Sequence, residues 1–188
     1  MKKLAITGGI ACGKSTLLEV IKNLGLEVVS VDHLVHEIIA SDECQEWLRA
    51  NAFPEITSQI PRRWLRKLYL LDPEFKDKYD AWIGPRIKEA VLKHPAQIVE
   101  FPLLFEMRME KEFENIWAVV VSDELQLERV VARVGDEDTA KRIIALQLPQ
   151  QHKLQNSTLF FYGDKPYDPT VIKDTLLTIG LSPGGEAG

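Results

Sequence analysis

A glycine-rich segment near the amino terminus contains the residue types that bind phosphate. It has the spacing Gly-x4-Gly-Lys-Ser, with its first glycine at position 8, and it follows an apolar run that ends at Thr7. Glycines let successive backbone N–H groups point inward, a lysine ammonium can reach the β- and γ-phosphates, and a serine hydroxyl can bind Mg²⁺. This spacing is the Walker A pattern, and between a strand and a helix it predicts a loop that binds a nucleoside triphosphate.

Each residue of this loop has an expected role. Lys14 is expected to contact the β- and γ-phosphates, Ser15 to be the metal ligand for Mg²⁺, and Thr16 to lie beside the α-phosphate. The predicted nucleotide-binding residues of the loop are Gly8, Gly9, Ile10, Ala11, Cys12, Gly13, Lys14, Ser15 and Thr16. The other interpretation is a glycine-rich turn in which the lysine is only solvated. Cys12 lies near a predicted helix start, which can lower a thiol pKa, so a redox-sensitive cysteine is a further hypothesis.

The loop alone does not separate kinases from GTPases and ATP-driven motors. The sequence lacks the Asn/Thr-Lys-x-Asp motif that reads guanine in GTPases, and 188 residues leave little room for the coupling modules of a motor. A small-molecule kinase is the class that remains. Asp32, at the end of the second predicted strand, can orient an acceptor hydroxyl or accept its proton. The alternative is that it caps a helix over residues 33–40.

Strand-like and helix-like segments alternate along the chain, which predicts an α/β fold with a largely parallel sheet. Helices are predicted at residues 15–24 and from 123 to 147, the second with an interruption at 135–138 and with Ser122 as its cap. Strands are predicted at residues 4–7, 27–31, 97–101, 116–121 and 159–162.

A single domain with one helical insertion is the expected organisation. The stretch 41–96 is helical in texture and divided by prolines, so we interpret it as an inserted acceptor subdomain. The core is then 1–40 and 97–180, with a lid at about 129–147. The tail at 182–188 is expected to be disordered.

The composition restricts the classes of partner. The formal net charge is -5, an acidic balance that argues against binding to nucleic acid. Cys12 and Cys44 form no CxxC pair, so neither a disulfide framework nor a zinc site is expected. No segment has the length and apolarity of a signal sequence or a membrane span. We therefore expect a cytoplasmic protein with no membrane partner, and favour a monomer.

Several segments, taken in order, resemble dephospho-CoA kinases. Residues 7–16 resemble the opening of that family, and 25–32 with the following His36-Glu37 resembles its second strand and helix. Pro-Leu-Leu-Phe-Glu at 102–106 resembles the segment after its third strand. Three further segments resemble the arginine-bearing lid region of the family: Gln126-Leu127-x-Arg129-x3-Arg133, Arg142-x4-Gln147 and Lys153.

The resemblance implies transfer of phosphate from ATP to the 3′-hydroxyl of the ribose in dephospho-CoA, the last step of coenzyme A synthesis. It implies ATP and Mg²⁺ as cofactors and a three-layer P-loop NTPase fold with a parallel five-stranded sheet. By match, Asp32 orients or deprotonates the acceptor, Thr7 lies under the acceptor site, and Arg129 faces the phosphates. Lys14, Asp32 and Arg129 are thus the expected catalytic residues. Arg133 and Arg142 are expected to bind the nucleotide, with surface ion pairing as the alternative.

The sequence also departs from the family pattern. Ser30-Val31-Asp32 stands where the family has Asp-Ala-Asp, and Ala11-Cys12 replaces a Gly-Ser pair in the loop. The alternative functions are therefore a related small-molecule kinase with another acceptor, or a weakly active nucleotide-binding regulator. Glu100, at the end of the third predicted strand, is either an acid of the Mg²⁺ shell or an exposed edge residue. Glu106 is expected to be solvated.

Overall fold

The chain folds into two compact units. The computed structural model describes residues 2–182; the tail at 183–188, for which disorder is expected, lies outside the described residues. One unit comprises residues 2–30 and 95–182, and the other comprises 31–94. The first contains the sheet and the glycine-rich loop, and the second is helical.

Five parallel strands form the sheet of the first unit, in the order β2-β3-β1-β4-β5. The predicted α/β fold with a parallel five-stranded sheet is confirmed. Because β1 is the middle strand, the loop that follows it lies at the centre of the edge where ligands bind in open α/β sheets. The strands are β1 (Lys2–Gly8), β2 (Val28–Ser30), β3 (Ile98–Glu100), β4 (Phe113–Val120) and β5 (Leu159–Tyr162).

Helices connect these strands and make up the second unit. In chain order they are α1 (Lys14–Asn23), α2 (Val31–Ala40), α3 (Asp42–Asn51), α4 (Arg62–Leu71), α5 (Pro73–Lys93), α6 (Asp123–Val134), α7 (Glu137–Ala145), α8 (Gln150–Gln155) and α9 (Pro169–Thr178). α8 and α9 were not predicted from the sequence. Within residues 2–182, no helix has both the length and the apolarity needed to cross a membrane.

The buried core of the first unit fixes α1 against the sheet. Leu17 and Ile21 of α1 are fully buried, and their spacing of four residues places them on one face of the helix. They join a cluster with Leu4 and Ile6 of the central strand. The start of α1 is therefore held at the end of β1, where the loop needs it.

The core of the helical unit is aromatic. The rings of Trp47 in α3 and Trp82 in α5 stack at a centroid distance of 5.2 Å. Trp47 also contacts Tyr79, and Tyr79 stacks on Phe75, with centroids 5.8 Å apart in both pairs. Aromatic rings bury large areas, so a few of them are enough to fix α3 against α5.

The helical unit begins at Val31, ten residues before the boundary expected from the sequence. Its first helix is α2, which contacts α3 and α5. Leu34 and Ile39 on α2 are buried. The sequence does not show which part of the chain covers this apolar face, because an amphipathic helix has the same pattern against any partner.

Candidate active site

The glycine-rich loop runs from the end of β1 to the start of α1. At Gly8 a Cβ atom would lie 2.4 Å from the carbonyl oxygen of Val119, so the adjacent strand leaves room only for glycine. Gly13 has a φ of 90°, in the left-handed region that glycine adopts without strain. Ala11 has a φ of 61°, a conformation in which a Cβ costs about 1 kcal/mol. The loop therefore adopts this conformation even though residue 11, where the backbone favours glycine, is alanine.

The residues predicted to act on the phosphates meet at the first turn of α1. Lys14 begins the helix, and its Nζ donates to the carbonyl oxygens of Gly8 and Gly9 at 2.9 Å each. Ser15 and Thr16 follow it, and both are exposed. The residue before α1 provides no side-chain cap. The positive end of the helix therefore faces the loop as a site for an anion.

Side-chain amides from outside the loop bind its backbone. Gln126 of α6 donates from Nε2 to the carbonyl oxygen of Ile10 at 3.0 Å, and Gln147 accepts the Ile10 N–H at 2.8 Å. Gln150 accepts the N–H of Val121 at 2.9 Å and donates to Gln126 at 3.0 Å. No function was predicted for these glutamines from the sequence. They lie more than a hundred residues from the loop, so no local spacing indicates the contact.

Arg129 contacts the loop through backbone carbonyls. Its Nη1 donates to the carbonyl oxygen of Ala11 at 3.2 Å, and both Nη atoms donate to that of Gly163 at 3.3 Å. Gly163 follows β5 and packs so closely that a Cβ there would lie 1.8 Å from the carbonyl oxygen of Cys12. The structure places Arg129 beside the glycine-rich loop, with its guanidinium bound to the loop backbone.

Arg133 and Arg142 are exposed residues of α6 and α7. Across residues 2–182 neither makes an ion pair with a carboxylate, and Glu137 pairs with Lys141 at 2.6 Å instead. The surface ion pairing considered as the alternative is therefore absent from this arrangement. The structure also records no hydrogen bond from either arginine to the described part of the loop.

The helices α6 and α7 pack against the loop through an apolar cluster. Its buried members are Ala11 of the loop, Val130 of α6 and Ala140 of α7. Partly buried side chains extend the cluster, namely Ile10, Leu127, Val131 and Ile144. Much of the region predicted as a lid is thus in contact with the loop.

Thr7 and the Pro-Leu-Leu-Phe-Glu segment meet at one carbonyl oxygen. That oxygen belongs to Pro102, and it accepts from Thr7 Oγ1 at 3.3 Å and from Lys153 Nζ at 2.7 Å. Lys153 is fully buried and also pairs with Glu106 Oε1 at 2.9 Å. The expectation that Glu106 is solvated is wrong, because its carboxylate neutralises a buried ammonium and its side chain is only 17% exposed.

Asp32 lies in the first turn of α2, in the helical unit. The helix begins at Val31, directly after β2, so Asp32 is its second residue. The alternative considered for Asp32, a cap of a helix over 33–40, is therefore wrong. A carboxylate in the first turn is favoured by the helix dipole, and the residue is exposed. Asp32 is accessible to a ligand and is not committed to capping.

Ser30 and Glu100 are neighbours across the sheet. They end β2 and β3, and they are register partners. Register partners on adjacent parallel strands point to the same face, with the strands about 5 Å apart. Glu100 therefore supplies a carboxylate beside the position where this chain has serine.

Cys12 is a buried packing residue, so the hypothesis of a redox-sensitive thiol with a lowered pKa is wrong. Its exposure is 0%, and its Sγ donates to Gln150 Oε1 at 3.2 Å. Burial raises the pKa of the thiol, and the positive charge of Lys14 opposes this only in part. The protonated thiol is the form that the loop holds.

Comparison with known sequences decides the family. The sequence model of dephospho-CoA kinases matches residues 3–165, which include the loop, the whole helical unit and the turn at 102–108. The chain belongs to the dephospho-CoA kinase family. The resemblance seen in the motifs is confirmed.

A curated relative agrees with this assignment, and solved structures share the fold. A dephospho-CoA kinase from Enterococcus faecalis is 32% identical over 173 residues, which are 85% of this chain and 87% of the relative. The crystal structure of TT1252 from Thermus thermophilus aligns with a TM-score of 0.74 at 26% identity, over 95% of both chains. A dephospho-CoA kinase from Campylobacter jejuni has the same fold, with a TM-score of 0.65 at 22% identity over 94% of both chains. The fold expected from the resemblance is confirmed.

Proposed function

We propose that this chain transfers the γ-phosphoryl group of ATP to the 3′-hydroxyl of the ribose in dephospho-CoA, which yields coenzyme A. The observation that carries the proposal is the Walker A loop at the end of the central strand, with Lys14 Nζ 2.9 Å from two of its carbonyl oxygens. Membership of the dephospho-CoA kinase family, over 3–165, supports dephospho-CoA as the acceptor.

The loop and its neighbours supply the donor half of the reaction. The N–H groups at the start of α1 and the ammonium of Lys14 neutralise the triphosphate and the charge that develops in transfer. Arg129 borders the loop through the carbonyl of Ala11, and we assign its guanidinium to the charge of the phosphates. Arg133 and Arg142, exposed on the helices packed beside the loop, add to this charge when the predicted lid closes.

We assign Mg²⁺ to the phosphates, with Ser15 as its protein ligand. No group of three or more His, Cys, Asp or Glu residues within the described chain is arranged to hold a metal ion. Mg²⁺ in kinases usually takes several ligands from water and phosphate oxygens, so the exposed Ser15 hydroxyl fits this mode. Glu100 at the end of β3 fits a bond to a water of the metal shell.

Asp32 supplies the acceptor half. A carboxylate that accepts the proton of the 3′-hydroxyl makes the oxygen a better nucleophile in the transition state. The position of Asp32 in an exposed helical turn directly after β2 supports this role. Thr7, next to the loop, is assigned to the acceptor site, and the helical unit is assigned to acceptor recognition.

The proposal includes a setting for the enzyme. We place it in the cytoplasm as a monomer that does not bind nucleic acid or membranes. The net charge of -5 supports the absence of a nucleic-acid partner. Light scattering of the purified protein, with and without substrates, tests whether it is a monomer.

The direct test is product analysis with purified protein, Mg·ATP and dephospho-CoA. We expect a product with the mass of coenzyme A and a ³¹P resonance of a 3′-phosphate monoester. Adenosine and AMP, offered as other acceptors, are expected to give far slower turnover. Turnover only with another acceptor would indicate a related kinase. Tight ATP binding without turnover of any acceptor would indicate a nucleotide-binding regulator.

A further inference from the structure

One ion pair in the first unit is almost completely enclosed by protein. Lys153 of α8 has an exposure of 0%, and its Nζ lies 2.9 Å from Oε1 of Glu106. A charged lysine is rarely buried without a partner. The hydrogen-bond partners of this pair therefore indicate which parts of the site it positions.

The pair joins three separate segments of the chain. Lys153 donates to the carbonyl oxygen of Pro102 at 2.7 Å, at the start of the turn after β3. Glu106 accepts the N–H of Leu148, in the link between α7 and α8, at 2.9 Å. The Pro102 oxygen also accepts from Thr7, the last residue before the loop. The pair thus connects the turn, the end of β1 and the link that follows α7.

Stability does not account for this arrangement. The desolvation of two buried charges often exceeds their attraction, and an apolar pair of similar size is frequently as stable or more stable. Glu106 is also incompletely satisfied, because its Oε2 is buried without a hydrogen-bond partner in the described structure. An unsatisfied buried oxygen has an additional cost. What the pair adds is a defined geometry for the Pro102 carbonyl.

We propose that Lys153 and Glu106 are positioning residues for phosphoryl transfer. They hold the Pro102 carbonyl where it orients the hydroxyl of Thr7, and through Thr7 they align the acceptor side of the site. The inference rests on the proposed function, in which Thr7 belongs to the acceptor site. The backbone of the nucleotide loop is contacted directly by other groups, Gln126, Gln147 and Arg129. The pair reaches that loop only through Leu148, the neighbour of Gln147, so its effect on the acceptor should exceed its effect on ATP.

The main test removes both charges at once with Lys153→Met/Glu106→Leu. We expect a melting temperature close to that of the wild type, because removing two buried charges offsets the loss of the hydrogen bonds to the Leu148 N–H and the Pro102 carbonyl. The Kd for ATP is expected to stay within about threefold, whereas kcat/KM for dephospho-CoA falls by about 10- to 100-fold through misalignment. Wild-type kcat and KM for dephospho-CoA in a folded double variant would overturn the proposal.

A conservative variant separates geometry from charge. Glu106→Gln keeps an oxygen that can accept from Lys153 and from the Leu148 N–H. We expect its melting temperature to fall, because the buried Lys153 ammonium loses its carboxylate partner. The folded variant should still retain activity within about fivefold of the wild type, whereas the double variant does not. An equal loss of activity in the two folded variants would overturn the positioning role, because it would show that the charge of Glu106 is what matters.

Thr7→Val keeps the proposal testable if the double variant does not fold. It removes only the hydroxyl that donates to Pro102, in a buried strand that accommodates valine. We expect a higher KM for dephospho-CoA or a lower kcat, by about tenfold, with an unchanged Kd for ATP. A Thr7→Val enzyme with wild-type constants for dephospho-CoA would overturn the proposal.

Failure of the inference and failure of the proposed function give different results. A wild-type protein that does not phosphorylate dephospho-CoA refutes the proposed function. If the wild type is active and the double variant matches it, only the positioning role is refuted. Amide exchange at Leu148 gives a readout without turnover. We expect it to be about tenfold faster in the double variant, because the acceptor oxygen of Glu106 is gone. Unchanged exchange there would also refute the positioning role.

Discussion

Different kinds of contact stabilise the glycine-rich nucleotide loop (residues 8–15) and the helical unit. In the loop region, single backbone atoms have specific partners. The N–H and the carbonyl of Ile10 each bind one glutamine side chain, and the carbonyl of Ala11 binds Arg129. In the helical unit the main contacts are between whole aromatic rings, such as Trp47 on Trp82 at 5.2 Å. One region fixes the positions of atoms, and the other fills volume.

This difference explains why the sequence predicts the ligand of the loop but not that of the helical unit. Phosphate binding requires particular residue types at a fixed spacing, so Gly8 to Ser15 predicts its ligand directly. Aromatic packing is satisfied by many sequences, so the rings in 31–94 indicate a core and no particular acceptor. Substitutions in the two regions should therefore have effects of different size and kind.

The largest difference is expected at the lysine of the loop. Lys14→Ala should lower kcat/KM for ATP by about 10³-fold, or about 4 kcal/mol, because the proposed function uses this charge to stabilise the transferring phosphate. The melting temperature should change little. Turnover and thermal denaturation measure both. Lys22→Ala, an exposed lysine in the last turn of the same helix, is the matched control. Equal activity of the two variants would refute the assignment of the loop.

Alanine substitution of two glycines compares the tolerance of the regions. Gly163→Ala places a Cβ 1.8 Å from the Cys12 carbonyl oxygen, and we expect the free energy of unfolding to fall by about 3 kcal/mol. In the helical unit, Gly84→Ala meets no atom within 4 Å beyond its chain neighbours. Its gain in helix propensity is offset by the restriction from Pro85, so the change should be under about 1 kcal/mol. Urea denaturation measures both variants, and a larger loss at Gly84 would contradict the comparison.

A smaller effect is expected from the buried thiol of the helical unit. Burial raises the pKa of Cys44 to about 11, from a usual value near 9. Because the folded protein holds this proton more tightly, its contribution to stability is complete below pH 9. It is lost as the pH rises toward 11, with a slope of at most about 1.4 kcal/mol per pH unit.

Urea denaturation between pH 8 and 11 tests this, with Cys44→Ala as the comparison. The free energy of unfolding of the wild type should fall more steeply than that of the variant above about pH 9. Parallel curves for the two proteins would show that the thiol does not titrate late. Cys12 is buried as well, but Lys14 and Arg129 oppose the rise of its pKa.

The parts of the fold that could be predicted are those with local signals. Alternating segments predicted five parallel strands, and Ser122 caps α6 as expected, accepting the N–H of Leu125. Two helices were not predicted. α8 has only six residues, too few for a periodic pattern, whereas α9 carries a readable start in Asp168 and Pro169.

The parts of the site that could not be predicted depend on contacts between distant residues. Glu106 was expected to be solvated, because nothing near it in the sequence shows that Lys153 pairs with it. Cys12 was expected to be reactive from its place beside a helix end, but burial by Gln150 and its neighbours outweighs that effect. The alternative role for Asp32 was to cap a helix over 33–40, but that helix begins two residues earlier, at Val31. Burial and pairing are properties of the folded chain, so they are not visible in local spacing.

The kinetics of Asp32→Asn give the most direct test of the central claim. That claim is that the loop binds the phosphate donor while Asp32 acts on the acceptor. Asp42→Asn is the matched control, because Asp42 is exposed in the first turn of the next helix. We predict that Asp32→Asn binds ATP with a Kd within about threefold of the wild type, while its kcat with dephospho-CoA falls by about 10²- to 10⁴-fold. A kcat for Asp32→Asn equal to that of Asp42→Asn would contradict the account.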